Sequence, residues 1–160
     1  EVSYIYKNTI SAWFDRKQRG FELGPLYEAI EEGGIEKMEE EISKFLGETI
    51  SYFDYGESYY HGFLAGLLGR NGKYRLLSNR EAGLGRADII LKTPRIRRGR
   101  AIVLEVKAVK NFRDMEKGCA AALRQIEQRK YLEGLRQEGY ENVLAYGVCF
   151  FQKECIVQRL

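Results

Sequence analysis

The sequence predicts an α+β fold, a mixed central sheet flanked by helices, with a small helical lead-in at its N-terminal side. Three observations predict it. Helix-length segments occupy the first third of the chain and the stretch from 114 to 137. Between and after them lie short apolar runs of strand length. The resulting core order is helix–strand–strand–strand–helix–strand.

Each element has a local reason. Thr9–Lys17, Pro25–Glu31 and Ile35–Leu46 read as helices, with Gly33-Gly34 breaking the second from the third. They form the lead-in, residues 1–50, ahead of a core over 51–160. Gly56–Leu68 is an apolar helix. Tyr74–Asn79, Ala87–Leu91 and Ala101–Lys107 are three strands. Asp114–Gln137 reads as one long helix, with Met115, Cys119, Ala122, Leu123 and Ile126 on a single stripe. Val143–Phe150 is a buried strand and Cys155–Gln158 a last, edge strand. The chain shows no internal repeat and no low-complexity linker.

Composition narrows the classes. A chain of 160 residues suits one domain with a sizeable core. Its 44% hydrophobic content is ordinary for a soluble globular protein, and no run is long enough to span a membrane. No signal peptide is visible. Cys119, Cys149 and Cys155 are odd in number and lack Cys-x-x-Cys spacing, which reads as reduced thiols in a cytoplasmic protein and not as a zinc or iron–sulfur site. The net charge of +3 is too small to argue nucleic-acid binding alone. Its distribution says more. Acid gathers between Glu28 and Glu48, as a solvated helix face would. Lys92–Arg100 carries five basic residues in nine positions, either a phosphate-contacting loop or a soluble hairpin tip. Arg124, Arg129 and Lys130 are further candidates for a basic groove. No Walker A loop is present, so this chain is not expected to hydrolyse ATP. It opens on Glu1-Val2-Ser3-Tyr4 without a Met, which reads as a piece of a longer protein.

The chemistry concentrates in two runs. In Ala101-Ile102-Val103-Leu104-Glu105-Val106-Lys107, alternation puts Glu105 and Lys107 on one face, Leu104 and Val106 on the other. Gly85-Arg86-Ala87-Asp88-Ile89-Ile90-Leu91 is the second run. Pro94 and Gly99 mark a turn between them. A hairpin centred between Ile96 and Arg97 pairs Lys92 with Ala101 and Asp88 with Glu105. Directly opposed side chains lie about 5 Å apart, where like charges destabilise. A bound cation removes that repulsion. The structural alternatives are a solvated Glu-x-Lys pair and an Asp that satisfies backbone donors at a strand start.

The string Ser78-Asn79-Arg80-Glu81-Ala82-Gly83-Leu84-Gly85-Arg86-Ala87-Asp88-Ile89-Ile90-Leu91, followed by Ala101–Lys107, resembles the PD-(D/E)XK nuclease superfamily. More narrowly, it is similar to the nuclease domain attached C-terminally to AAA-ATPase-like proteins in bacteria. Tyr59–Leu68 resembles that family's preceding helix and Ala122–Ile126 its following one. The likeness runs from about Glu1 to Phe151. Ala87 stands where the superfamily's proline would be, a position that often varies. The resemblance implies a restriction-endonuclease-like core and an AAA-ATPase-like domain in the same full-length protein.

It also implies roles. Asp88 and Glu105, with the Val106 carbonyl, would hold Mg²⁺ or Mn²⁺ through hard oxygen ligands, and Lys107 would orient water or stabilise developing charge on the phosphate. Glu57 and His61, spaced i, i+4, share a helix face. In this superfamily that helix packs beside the metal, so Glu57 is a candidate further ligand; otherwise it is a favourable helix N-terminal acid. Gln125 resembles the glutamine that orders the lysine or a phosphate. Tyr131 is a lesser companion, and Glu81 and Arg86 bracket the Gly83–Gly85 turn. The function expected is metal-dependent hydrolysis of DNA phosphodiesters. The alternatives are a catalytically silent nucleic-acid-binding module and a regulatory domain that docks on the ATPase through Tyr4, Tyr6, Trp13 and Phe14.

Overall fold

The computed structural model describes residues 22–48, 56–78 and 87–160. The expected helix Thr9–Lys17, the aromatics Tyr4, Tyr6, Trp13 and Phe14, and most of the string before Asp88, with Glu81 and Arg86, lie outside the described residues. Helix α1 spans Gly24–Glu32, with Pro25 in its first turn and Gly33 closing it at a left-handed φ of 79°. Helices α2 (Ile35–Glu48) and α3 (Glu57–Leu68) follow. Strands β1 (Arg75–Ser78), β2 (Ile89–Lys92) and β3 (Arg100–Ala108) come next. A 3₁₀ turn at Phe112–Asp114 leads into α4 (Met115–Gln128) and then α5 (Tyr131–Glu138). Strands β4 (Asn142–Phe151) and β5 (Glu154–Arg159) complete the chain.

The expected single helix over Asp114–Gln137 is two helices. Lys130 takes a left-handed backbone, φ 55°, and its N–H closes a tight turn onto the Glu127 carbonyl. The reason is a slip in phase. Buried positions Met115, Cys119, Ala122 and Ile126 keep helical spacing, but the next positions on that stripe are the charged Arg129 and Lys130. The next buried residues are Tyr131 and Leu135. Breaking the helix at Lys130 lets that second stripe reach Ala101, Val103, Tyr140 and Ala145.

The five strands form one mixed sheet in the order β1-β2-β3-β4-β5. β1, β2 and β3 are antiparallel neighbours, β3 and β4 run parallel, and β5 returns antiparallel on β4. The α4–α5 segment supplies the crossover that a parallel β3–β4 pair requires. One sheet face, with Ile102, Leu104, Val106, Tyr146 and Val148, packs against α1, α2 and α3 in a continuous core. Tyr146 donates to the Ile30 carbonyl at 2.6 Å and Tyr60 stacks on Phe150 at 4.5 Å. The lead-in helices therefore share the core of the sheet. The opposite face carries α4 and α5. This is the restriction-endonuclease-like, α+β architecture expected. Among the described residues, no helix is long and apolar enough to cross a membrane.

The acidic stretch departs from a purely solvated face. Glu41 is buried on α2 and pairs with Lys37 at 3.2 Å. Glu39 accepts from the Val157 N–H on edge strand β5 at 2.9 Å, occupying one of the donors that an edge leaves open.

Candidate active site

The β2–β3 ladder has the expected register. Lys92 pairs with Ala101 and Ile89 with Leu104, so the next residues, Asp88 and Glu105, stand opposite each other just beyond the end of β2. The Thr93 N–H donates to the Arg100 carbonyl at 3.0 Å, which makes that pair a hydrogen-bonded one. Alternation along the ladder then makes Asp88–Glu105 a non-hydrogen-bonded position, where opposed side chains come closest. One step further the Val106 N–H would have served the ladder. It donates instead to Asp88 Oδ2, at 2.9 Å. The Asp88 N–H in turn reaches Glu105 Oε2 at 3.3 Å.

Glu105 and Lys107 point to the α4 face, as alternation requires. Gln125 joins them: its Nε2 donates to Glu105 Oε1 at 2.6 Å, and its Oε1 accepts from Lys107 Nζ at 2.9 Å. The approach of α4 depends on Gly147, the β4 register partner of Glu105. A Cβ there would lie 2.8 Å from the Cys119 carbonyl oxygen and 3.1 Å from Ala122 Cβ.

Electrostatics sets this group apart. Glu105 is only 1% exposed. Burial first, and the facing Asp88 carboxylate second, push its acid up to about 8, while Lys107 pulls the other way. The Tyr131 hydroxyl lies among the same groups. Burial raises it, the charge of Glu105 adds to the rise, and a bond to Gln125 opposes it.

The site is also held from behind. His61, 1% exposed on α3, has Nε2 3.0 Å from the Asp88 carbonyl oxygen and 3.1 Å from Ser78 Oγ. A carbonyl only accepts, so Nε2 carries the proton. This contact fixes the main chain of Asp88 across the sheet. The i, i+4 spacing of Glu57 and His61 marked the helix face but not what lay opposite it.

The structure thus brings Asp88, Glu105, Val106, Lys107, Gln125 and Tyr131 together. Glu57 sits in the first turn of α3, near enough to Cys149 for its charge to add to burial in raising that thiol to about 11. Cys149 is the register partner of Lys107. Among the described residues no three acids, histidines or cysteines close on one point, so Glu57 is not gathered with Asp88 and Glu105. All three cysteines are buried and free. Arg95, Arg97 and Arg98 are exposed at the far end of the hairpin, away from the carboxylates.

The donor set suits a hard divalent cation. Two facing carboxylates, one buried and disfavoured as an anion, gain from a positive charge between them. Mg²⁺ is commonly held by one or two carboxylates, with waters and phosphate oxygens completing its shell. The Val106 carbonyl leaves β3 on the same edge as its N–H, toward Asp88. A family model, that of the PD-(D/E)XK nuclease superfamily, matches residues 55–160. No curated protein matches the chain.

Proposed function

Because this chain belongs to the PD-(D/E)XK nuclease superfamily, we propose that Asp88, Glu105 and Lys107 hydrolyse phosphodiester bonds of DNA with the help of Mg²⁺ or Mn²⁺. One observation carries the reading: Asp88 faces Glu105 where the ladder ends, and Gln125 ties Lys107 to that pair. A solvated surface pair would not need a buried carboxylate or a bridging amide.

Asp88, Glu105 and the Val106 carbonyl would hold the cation through hard oxygen ligands; Glu57, proposed from the resemblance as a further ligand, would have to move to join them. The cation supplies Lewis acidity at the phosphate. Lys107, kept in place by Gln125, presents its ammonium to the charge that builds on the phosphate oxygens. Gln125 also holds Glu105 in one rotamer, which keeps the carboxylates opposed. The protein is proposed to be a bacterial, cytoplasmic one, working with an AAA-ATPase-like domain.

The test is cleavage of labelled DNA by the purified protein with Mn²⁺ or Mg²⁺. Cleavage that Asp88→Ala, Glu105→Ala and Lys107→Ala each abolish, with the fold retained, supports the proposal. An inert wild type, or an Asp88→Ala protein with full activity, refutes it.

A further inference from the structure

An open cleft of about 460 Å³ lies between β2 and α5, one residue along the chain from Asp88. Two of its lining residues adjoin the site: Ala87 precedes Asp88 in the chain, and Tyr131 bonds to Gln125 and feels the charges of Glu105 and Asp88. Leu77, Ile90 and Leu135 give it apolar walls, and Arg129 and Lys130 stand exposed on its rim. The third cation, Lys92, is paired with the cleft's acid, Glu138, at 2.8 Å. Among the described residues, the rim therefore carries more positive than negative charge over an apolar, partly aromatic interior.

Two features of α5 disfavour the helix yet serve the cleft. Lys130 adopts a left-handed backbone, uncommon for a residue with a side chain, and this turn sets Arg129 and Lys130 at the rim. Gly134 lies inside a short helix, where alanine is the better former. A Cβ at Gly134 would meet nothing within 4 Å, so packing does not require glycine. Its effect is to leave the cleft open along the helix backbone.

We infer that this cleft receives one unpaired nucleotide flanking the phosphodiester held at Asp88 and Glu105, so that the substrate is single-stranded there. The inference rests on the nuclease reading and narrows it. A flat base suits the apolar walls and Tyr131, and its phosphates suit Arg129 and Lys130. The volume is that of a site for one small ligand, about 300–1,000 Å³, and a base still stacked in a duplex has no way in.

The experiment compares the full chain with Gly134→Phe, which fills the cleft, and Lys130→Gly, which removes a rim charge and suits the left-handed backbone. Fluorescence anisotropy with Ca²⁺ measures binding to a labelled single strand, a blunt duplex and a duplex with a short unpaired end. Cleavage with Mn²⁺ is followed in parallel. Wild type is expected to favour unpaired DNA by roughly tenfold, the worth of one stacked base. Gly134→Phe should erase that preference without lowering Tm, and Lys130→Gly should flatten its salt dependence. Preference for the blunt duplex, no binding to any of the three, or an unchanged preference in Gly134→Phe overturns the inference. Binding that follows this pattern without cleavage upholds the cleft and overturns the nuclease reading instead.

Discussion

Replacing Glu105 with glutamine should stabilise the metal-free protein at alkaline pH and leave it little changed in acid. Glu105 is buried, faces Asp88, and has its acid raised from 4.5 to about 8. Between those values the folded chain holds a proton that the unfolded chain has lost. Unfolding free energy therefore falls as pH rises through that window. At about 1.4 kcal/mol per pH unit, the upper limit of this loss is about 5 kcal/mol. Side chains and water relax around the buried charge, so a loss of about 2–3 kcal/mol is expected. Against a total stability of about 5–15 kcal/mol this is large. At about 2–4 °C per kcal/mol it lowers Tm by roughly 4–12 °C. Glutamine keeps the size of the side chain and an oxygen for one of the two donors, Gln125 Nε2 or the Asp88 N–H. It has no charge to bury. Thermal and urea unfolding in EDTA at pH 5, 6.5 and 8.5 measures the difference between wild type and Glu105→Gln, which cancels the titrating groups that do not interact with Glu105. Adding Mn²⁺ at pH 8.5 should restore the wild type and not the variant, because only the ionised pair binds the cation well. A difference that stays flat with pH, or a variant less stable than wild type at pH 8.5, refutes the electrostatic account of the pair.

Three further outcomes test the supports of the site. Gln125→Leu removes the bridge between Glu105 and Lys107 and should lower cleavage or Mn²⁺ affinity by about 10- to 100-fold; steady-state kinetics and calorimetry read the two separately. His61→Leu strips the Asp88 carbonyl of its Nε2 donor and should destabilise by about 1–3 kcal/mol, with Mn²⁺ affinity falling as Asp88 loosens. Urea denaturation and metal titration check both parts. Gly147→Ala forces α4 away from β4, since the added Cβ meets the Cys119 carbonyl oxygen at 2.8 Å; a loss of about 1–3 kcal/mol is expected, accompanied by weaker cleavage, which unfolding and activity assays follow together.

The strands and their register were legible because few residues set them. Pro94 and Gly99 bracket a turn, and β-branched runs on either side leave one centring that keeps both apolar faces inward. That centring placed Lys92 on Ala101, as found, and carried Asp88 to Glu105. The break at Lys130 was illegible because Tyr131, Leu132 and Leu135 prolong an apolar helical pattern, and only the phase slip past Ile126 betrays it. Gln125 entered through resemblance, since a glutamine on an amphipathic helix carries no sign of what it touches. His61 and Glu39 show the same limit from the other side. Spacing put His61 on a helix face and Glu39 fell within the acidic stretch, but their partners, the Asp88 carbonyl and the Val157 N–H, are 27 and 118 residues away in the chain. Contacts of that kind are fixed by how layers stack, which no local pattern encodes.

The position of the carboxylates follows from β2 being short. Had the strand run on, the Val106 N–H would have gone to a main-chain carbonyl, as the ladder's alternation requires. Because β2 begins at Ile89, that donor turns to the Asp88 side chain and aligns it with Glu105. Three layers then hold the pair: α3 through His61 from one face, the sheet through Val106, and α4 through Gln125 from the other. None of these contacts removes the repulsion between two facing acids; they hold the geometry in which it persists. A fold optimised for stability alone would place an apolar pair at such a position. Retaining two opposed carboxylates, one buried, with a lysine tied beside them, makes sense when a cation is the missing partner, and the pH-dependent gain in Glu105→Gln is the direct measure of that unrelieved charge.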